Sequence, residues 1–287
     1  MIDLSITIVS YNTKDLLKQC IKSIYEHTKN ISFEIIVVDN ASCDGSVEML
    51  KSEFPTVKVI QNKENLFFTR AHNQALRIAK GRYLMILNSD TIVLDSAFDK
   101  LVKFMDENPQ CGACGPKLLN PDMSLQRSGE RLPTFWYGLF ETFFLNTIFP
   151  KNPVKKNRIY FDWDRNTTRE VESVSGCCMM LRKEVADKVG LLDENFLVYW
   201  EETDWCKRIV DTGWKIYYIT DAQIIHYWQV AMDKHGKEKK EKIFFNSMLY
   251  YYKKHFGILT FFVLWIILNF YTKPMLKIIR WIKSKII

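Results

Sequence analysis

The sequence predicts an α/β fold: a mostly parallel central sheet flanked by helices, followed by a hydrophobic and basic helical tail. Three observations carry this prediction. Short, β-branched apolar runs alternate with segments of helical period, which is the pattern of βαβ units. The strand-like runs are apolar almost throughout, so both of their faces are covered. Three of them end in polar groups, at the edge where open α/β sheets hold their ligands.

The elements follow in order. "LSITIVS" (4–10) is a strand ending in Ser10, Tyr11 and Asn12. The next segment places Leu16, Leu17, Cys20, Ile21, Ile24 and Tyr25 on one helical face. "FEIIVVD" (33–39) ends at Asp39 and Asn40, and "VKVIQ" (57–61) is a third strand. A helix is predicted over roughly 69–80, and "YLMIL" (83–87) runs into Asn88, Ser89 and Asp90. Beyond these, 129–146 reads as a loop entering an apolar helix, and 171–190 as a strand and a helix stopping near Gly190. The segment 199–213 reads as a helix with an acidic start. "WKIYYIT" and "AQIIHYW" read as two further strands, with His226 ending the second.

The charge is uneven. Residues 234–287 carry 12 Lys and Arg against 2 Asp and Glu, a net of +10. Residues 1–233 carry 28 against 31, a net of −3. A nucleic-acid reader is expected to show its basic face on the folded domain, so that class is set aside. A basic tail interleaved with apolar residues points to an anionic membrane surface. The 17 residues 256–272 carry no charge. As a helix they span ~25 Å, against a hydrocarbon core of ~30 Å, so spanning and lying in the interface both stay open. "MLKIIRWIKSKII" then adds a basic amphipathic segment. The expected division is 1–242 for the globular domain and 243–287 for the tail. No secretory leader is visible, and the seven cysteines are odd in number and irregularly spaced, which reads as free thiols packed in a reducing compartment.

Neither GxGxxG nor GxxxxGK[ST] follows the first strand, which excludes the usual dinucleotide and P-loop sites. A phosphate-bearing ligand then calls for a divalent cation, Mg²⁺ or Mn²⁺, held by one or two carboxylates and the phosphates themselves. Asp90 stands at a strand end suited to that task. Asp204 and Arg208 are spaced for an ion pair on one helix.

"TIVSYNTKDLLKQCIKSI", "EIIVVDNASCDGSVEML", "AKGRYLMILNSDTIV", "VGLLDENFLVYWEETDWCKRI" and "IIHY" occur in that order over residues 3–230. In these motifs the chain resembles the inverting nucleotide-sugar glycosyltransferases of family 2, and most of all their bacterial rhamnosyltransferase-like members. The resemblance implies a GT-A fold. It implies that Asp39 contacts the nucleotide base, with Ser10, Tyr11, Asn12, Asn40, Asn73, Asn88 and Ser89 around the donor. It implies that Asp90 binds the cation, with His226 close by, and that Glu202, or else Glu201, is the general base. Tyr199, Trp200 and Asp204 are the expected sugar or acceptor contacts.

Four positions depart from the family pattern. Asn88 takes the place of the first aspartate of D-x-D, Glu202 that of an aspartate, Phe67 that of a glycine, and "HYWQ" that of H-x-G-G. The expected function is transfer of a sugar, rhamnose being one candidate, from a dTDP- or UDP-sugar to a lipid-linked or polysaccharide acceptor at the cytoplasmic face of the membrane. A catalytically weak or inactive sugar- or lipid-binding module on the same fold is the rival reading, and turnover separates the two.

Overall fold

The computed structural model describes residues 2–227 and 237–275. Its first half is a run of βαβ units: β1 (Leu4–Ser10), α1 (Lys14–His27), β2 (Phe33–Asp39), α2 (Ser46–Glu53), β3 (Lys58–Gln61), α3 (Phe67–Ile78) and β4 (Tyr83–Asn88). There follow β5 (Thr91–Val93), α4 (Ala97–Glu107), β6 (Cys111–Leu119) and β7 (Leu125–Gln126). An irregular excursion holds the short helices α5 (Phe135–Thr142), α6 (Leu145–Ile148) and α7 (Pro153–Arg158). The chain returns through β8 (Arg169–Val171), β9 (Cys178–Arg182), α8 (Lys183–Val189), α9 (Glu201–Asp211) and β10 (Lys215–His226). It ends in α10 (Lys237–Phe256), α11 (Ile258–Ile267) and a π-helical turn over Leu268–Thr272.

The strands form one sheet in the order β3-β2-β1-β4-β9-β6-β10-β5, with β7 on β6 and β8 on β10. β3, β2, β1 and β4 are parallel. β9 runs antiparallel between β4 and β6, and β6 and β10 are again parallel. Alternate residues face opposite sides of a strand, so the sheet feeds two cores. Ile6, Ile8, Val37, Met85 and Leu87 pack under α1, α2 and α4. Ile36, Val38, Leu84 and Ile86 pack with Ala71, Ala75, Trp205 and Ile209 of α3 and α9. Six of the seven cysteines are buried, Cys43 being the exposed one, and all are free thiols.

Three expectations change. The two strands read at 214–220 and 222–228 are one, β10, whose register against β6 jumps between Ile219 and Gln223. The residue of β6 at that jump is Pro116, which has no N–H to give a ladder, so the partner strand bulges there. The helix expected over 69–80 starts at Phe67, two residues earlier. The boundary expected after 242 falls inside α10. That helix buries Met248, Tyr251 and Tyr252 in a third core with Phe196 and Trp200, and Ser247 Oγ donates to Val198 O at 3.0 Å. The break comes instead at Gly257, whose φ of +89° separates α10 from α11. The residues of the basic amphipathic segment beyond Met275, and Trp228 and Gln229 of "HYWQ", lie outside the described residues.

Candidate active site

The ends of β1, β2 and β4 open onto a cavity of about 390 Å³, which reaches the start of α9 and α10 on its far side. One end is polar, lined by Tyr11, Asn40, Asn88, Ser89, Asp90 and His226. The other is mainly aromatic, with Tyr137, Tyr199, Trp200 and Phe244 around Glu201, Glu202 and Arg158.

At the polar end, the turn after β4 is tied to the end of β10. β5 pairs Thr91 with His226, and Tyr227 N donates to Asp90 O at 3.0 Å. This brings His226 Nε2 to 3.4 Å from Asp90 Oδ1, with both residues buried. Gln126 Oε1 lies 2.7 Å from His226 Nδ1 and can accept its proton, and the Asn88 side-chain amide lies 3.1 Å from Nε2. Burial opposes protonation of His226, but Cys177 and Asp90 beside it outweigh that and raise its pKa to about 10. Among the described residues no three His, Cys, Asp or Glu side chains converge on one point. A carboxylate and an imidazole oriented by its other nitrogen fit a divalent cation once the imidazole gives up its Nε2 proton on binding and phosphate oxygens complete the shell.

The neighbouring loops hold one another. Ser10, Thr13 and Ser89 form a chain of hydroxyls at 3.0 and 2.9 Å. Asn12 Oδ1 accepts from Cys43 N at 2.8 Å, and Asn40 Nδ2 donates to Phe67 O at 3.0 Å. Asp39 Oδ1 accepts from Ser42 N, but Oδ2 is buried without a hydrogen-bond partner among the described residues. An unmatched buried acceptor is costly unless a ligand donor meets it.

Glu201 and Glu202 form the first turn of α9. Tyr199 and Trp200 just before them have φ of 69° and 72°, a left-handed approach that bulky residues adopt only under strain. Asn12, Ala41 and Phe67 at the polar end also have positive φ. Burial and the neighbouring Glu202 raise the pKa of Glu201 well above the usual range, and its Oε2 has no hydrogen-bond partner among the described residues. Burial raises Glu202 too, but the Arg158 guanidinium opposes the shift. Burial thus pushes both carboxyls toward the protonated form, with Arg158 opposing the shift at Glu202. Gly176 makes room for the pair: a Cβ there would lie 3.1 Å from Glu202 Cβ.

Five predicted residues do not line the cavity: Ser10, Asn12 and Asp39, at the ends of β1 and β2, and Asn73 and Asp204. Asn73 is spent on the chain before α9, donating to Leu192 O at 2.8 Å and accepting from Leu192 N. Asp204 is fully buried and lies within 2.8 Å of Arg208, Lys254 and His255, which ties α9 to α10. Its carboxylate does not reach the cavity; it serves the fold. Several residues of the site, Tyr137 and Gly176 among them, escaped the sequence reading. Gln126 sits on a two-residue strand, Arg158 ends a one-turn helix in an irregular stretch, and Phe244 belongs to the tail, and none carries a local signal.

A family model described as glycosyl transferase family 2 matches residues 5–190. The chain belongs to glycosyl transferase family 2. It is 24% identical over 239 residues to an N-acetylglucosaminyl-diphospho-decaprenol L-rhamnosyltransferase of Mycobacterium tuberculosis, covering 78% of this chain and 76% of the relative. It is 26% identical to the O-antigen biosynthesis protein RfbC of Myxococcus xanthus, over 78% of this chain but 17% of that protein. The fold resembles GalNAc-T7, solved with UDP, GalNAc and Mn²⁺, at a TM-score of 0.58 and 16% identity over 79% of this chain. It also resembles the mannosyltransferase PcManGT of Pyrobaculum calidifontis, solved with GDP-Man and Mn²⁺, at 0.52 and 18% over 78%. The match spans 44% and 56% of those two chains. The glycosyltransferase has the GT-A architecture expected of it.

Proposed function

We propose that this glycosyltransferase is a metal-dependent, inverting enzyme that moves a sugar, rhamnose by analogy with the mycobacterial relative, from a dTDP- or UDP-sugar to a lipid-linked or polysaccharide acceptor. The observation that carries the reading is the pairing of two separate acidic sites in one cavity, Asp90 with His226 at one end and Glu202 at the other. Single-displacement transfer needs both. One carboxylate takes the proton of the attacking hydroxyl, and the other site holds the departing diphosphate.

In this reading Asp39 Oδ2 accepts from the base. Tyr11, Asn40 and Ser89 line the donor, and Asp90 and His226 hold Mn²⁺ or Mg²⁺. When bound, the cation supplies Lewis-acid stabilisation of the leaving diphosphate. Glu202 accepts the acceptor proton, kept more acidic than Glu201 by Arg158. Trp200 and Tyr199 shape the wall against which a sugar ring lies. The reading places the enzyme at the cytoplasmic face of a membrane, and α11 with the turn after it supports the membrane association. Ile258–Met275 is long and apolar enough to cross a bilayer, and only 17% of it is buried against the protein. Leu259, Phe262, Ile266 and Phe270 are exposed, whereas a buried core helix would hide them.

A thermal-shift panel tests the reading: UDP, dTDP, GDP and CMP, each with and without Mn²⁺, on the detergent-solubilised chain and on Asp90→Ala. One nucleotide at 100 times its Kd adds about 2.7 kcal/mol, with Mn²⁺ only, and Asp90→Ala loses the gain. If no nucleotide shifts the wild type, the donor site is not functional and the binding-module reading takes its place.

A further inference from the structure

α11 is strongly apolar, yet one side of it, with the turn that follows, is packed against the globular domain. Leu264, Leu268 and Thr272 are buried, and a recurrence every four residues sets them in one stripe. Leu264 and Leu268 join Phe196, Trp200, Tyr251 and Tyr252 in the third core. Thr272 Oγ1 donates to Thr142 O at 2.6 Å, and the Phe143 ring meets Tyr271 at 5.2 Å, so α5 holds the far end. Towards the near end Lys253 Nζ lies 5.9 Å from the Phe261 ring. The residues between these stripe positions face outward: Leu259, Phe262, Ile266 and Phe270 are exposed, the first and last at 79% and 73%.

We propose that α11 and the turn after it lie in the plane of an anionic membrane surface, inserted into one leaflet by their outer face, and do not cross the bilayer. The inference rests on the membrane association proposed above and decides its geometry. Length permits a span of the ~30 Å hydrocarbon core; packing opposes it. A crossing helix would have to give up the contacts of Leu264, Leu268 and Thr272. Otherwise it would draw α5 and α10 into hydrocarbon with Glu141, Lys253 and Lys254, and ionised groups there are expensive. An in-plane helix avoids both costs, with protein on one side and acyl chains on the other. The chain beside the far end is apolar as well: α6 begins two residues after Phe143, and its Ile148 is exposed together with Phe149. Lysines accompany these residues. Lys151, Lys253 and Lys273 are exposed, and 256–275 contains no Asp or Glu. An apolar strip with lysine neighbours and no acid of its own suits anionic lipid.

The test uses the full chain with an epitope tag after Ile287, in sealed membrane vesicles of one orientation. Cys43, the exposed thiol of the globular domain, is the reference point. An impermeant maleimide, read by peptide mass at Cys43, and a protease, read by loss of the tag, reach both sites from the same face. A tag protected until detergent is added, while Cys43 is labelled, overturns the inference. A second measurement reads the outer face itself. Phe262→Asp combined with Ile266→Asp lowers partition onto phosphatidylglycerol vesicles, after detergent dilution, by at least about tenfold and leaves the melting temperature in detergent within a few degrees of wild type. Unchanged partition overturns the inference. So does a wild-type chain that sediments as a dimer in detergent and becomes a monomer on the same substitutions, because the face then covers a second copy. A wild-type chain that does not partition onto vesicles at all removes the membrane association together with this geometry. Failure of the transferase reading looks different: nucleotide and Mn²⁺ give no stabilisation, wherever the tag lies.

Discussion

The two ends of the cavity are built by opposite means. The polar end is made of strand termini. β1, β2 and β4 stop side by side, and their last residues meet because parallel register aligns them, Ser10 beside Asp39 and Val9 beside Asn88. The aromatic end is made of helices from distant parts of the chain, α5, α7, α9 and α10, joined by side chains. Position at the first end is enforced by the sheet's backbone ladder. Position at the second depends on packing and on a few buried charges. Substitutions should therefore act locally at the polar end and spread at the aromatic end.

The largest effect expected is on turnover. Glu202→Gln lowers kcat by ~10²–10⁴-fold, the usual contribution of a positioned base, and leaves nucleotide-dependent stabilisation in place. A variant with wild-type kcat would move the base elsewhere. In the wild type the acid limb of the rate profile sits above the ordinary carboxylate range, because burial raises the Glu202 pKa and a base works only when ionised. Removing the opposing Arg158 charge moves that limb to higher pH still.

Next in size is the clamp on α9. Asp204→Asn leaves Arg208, Lys254 and His255 around a neutral group and costs about 3 kcal/mol in urea unfolding, in line with breaking a buried ion pair. Because Glu201 and Glu202 begin the same helix, kcat falls with it. If stability drops and kcat does not, the aromatic end is more self-supporting than its construction suggests. The same clamp sets where a truncation can be made. A chain ending at Phe256 keeps Lys254 and His255, whereas one ending before Lys254 leaves the buried Asp204 with Arg208 as its remaining cation.

This contrast also decides what could be read from the sequence. Strand ends are legible because an apolar run followed at once by Asn-Ser-Asp is a local pattern, and a parallel sheet brings such ends together. Asp90, Asn88, Ser89 and Asn40 were proposed that way, His226 from the family resemblance and its place at the end of an apolar run, and all five line the cavity. Asn73 and Asp204 fit motifs equally well, yet their side chains are taken by Leu192 and by the α10 cations. A motif gives a residue type and a place in the chain; which neighbour consumes its hydrogen bonds is a tertiary fact. Arg158, Gln126 and Phe244 were invisible for the same reason. α10, which spans the expected division at 242, looks like tail by charge, while its Tyr251 and Tyr252 are buried.

Smaller effects sharpen the comparison. Gly176→Ala presses a methyl group on Glu202. It should lower kcat by about tenfold, within the 1–3 kcal/mol that overpacking costs, and change nucleotide affinity little. Glu201→Gln tests the proton assignment. A carboxyl whose folded pKa is raised contributes stability below its ordinary value of 4.5, and that contribution is lost as pH rises through the folded value. The glutamine variant, neutral throughout, therefore gains melting temperature over wild type as pH goes from 5 to 8. A constant difference across that range would place the proton on Glu202 instead.

The smallest change probes the one bulky intruder at the polar end. Phe67 has φ of 61°, the left-handed region that a glycine enters freely, and glycine is what the family pattern carries there. Holding a phenylalanine in it costs about 1–2 kcal/mol. Phe67→Gly removes that strain, but it also frees the unfolded chain and gives up the contact between the ring and Lys239 Nζ at 5.8 Å. These terms oppose each other, so the net stability change stays within about 1 kcal/mol. The useful readout is the ligand. Widening the wall beside Asn40 should raise nucleotide affinity in the thermal-shift panel while the acid limb of the rate profile set by Glu202 is unmoved. If both change together, the two ends are coupled through Phe67 and do not act separately. If stability falls by more than about 2 kcal/mol, the ring belongs to the core like other large buried side chains and is not a wall of the donor site.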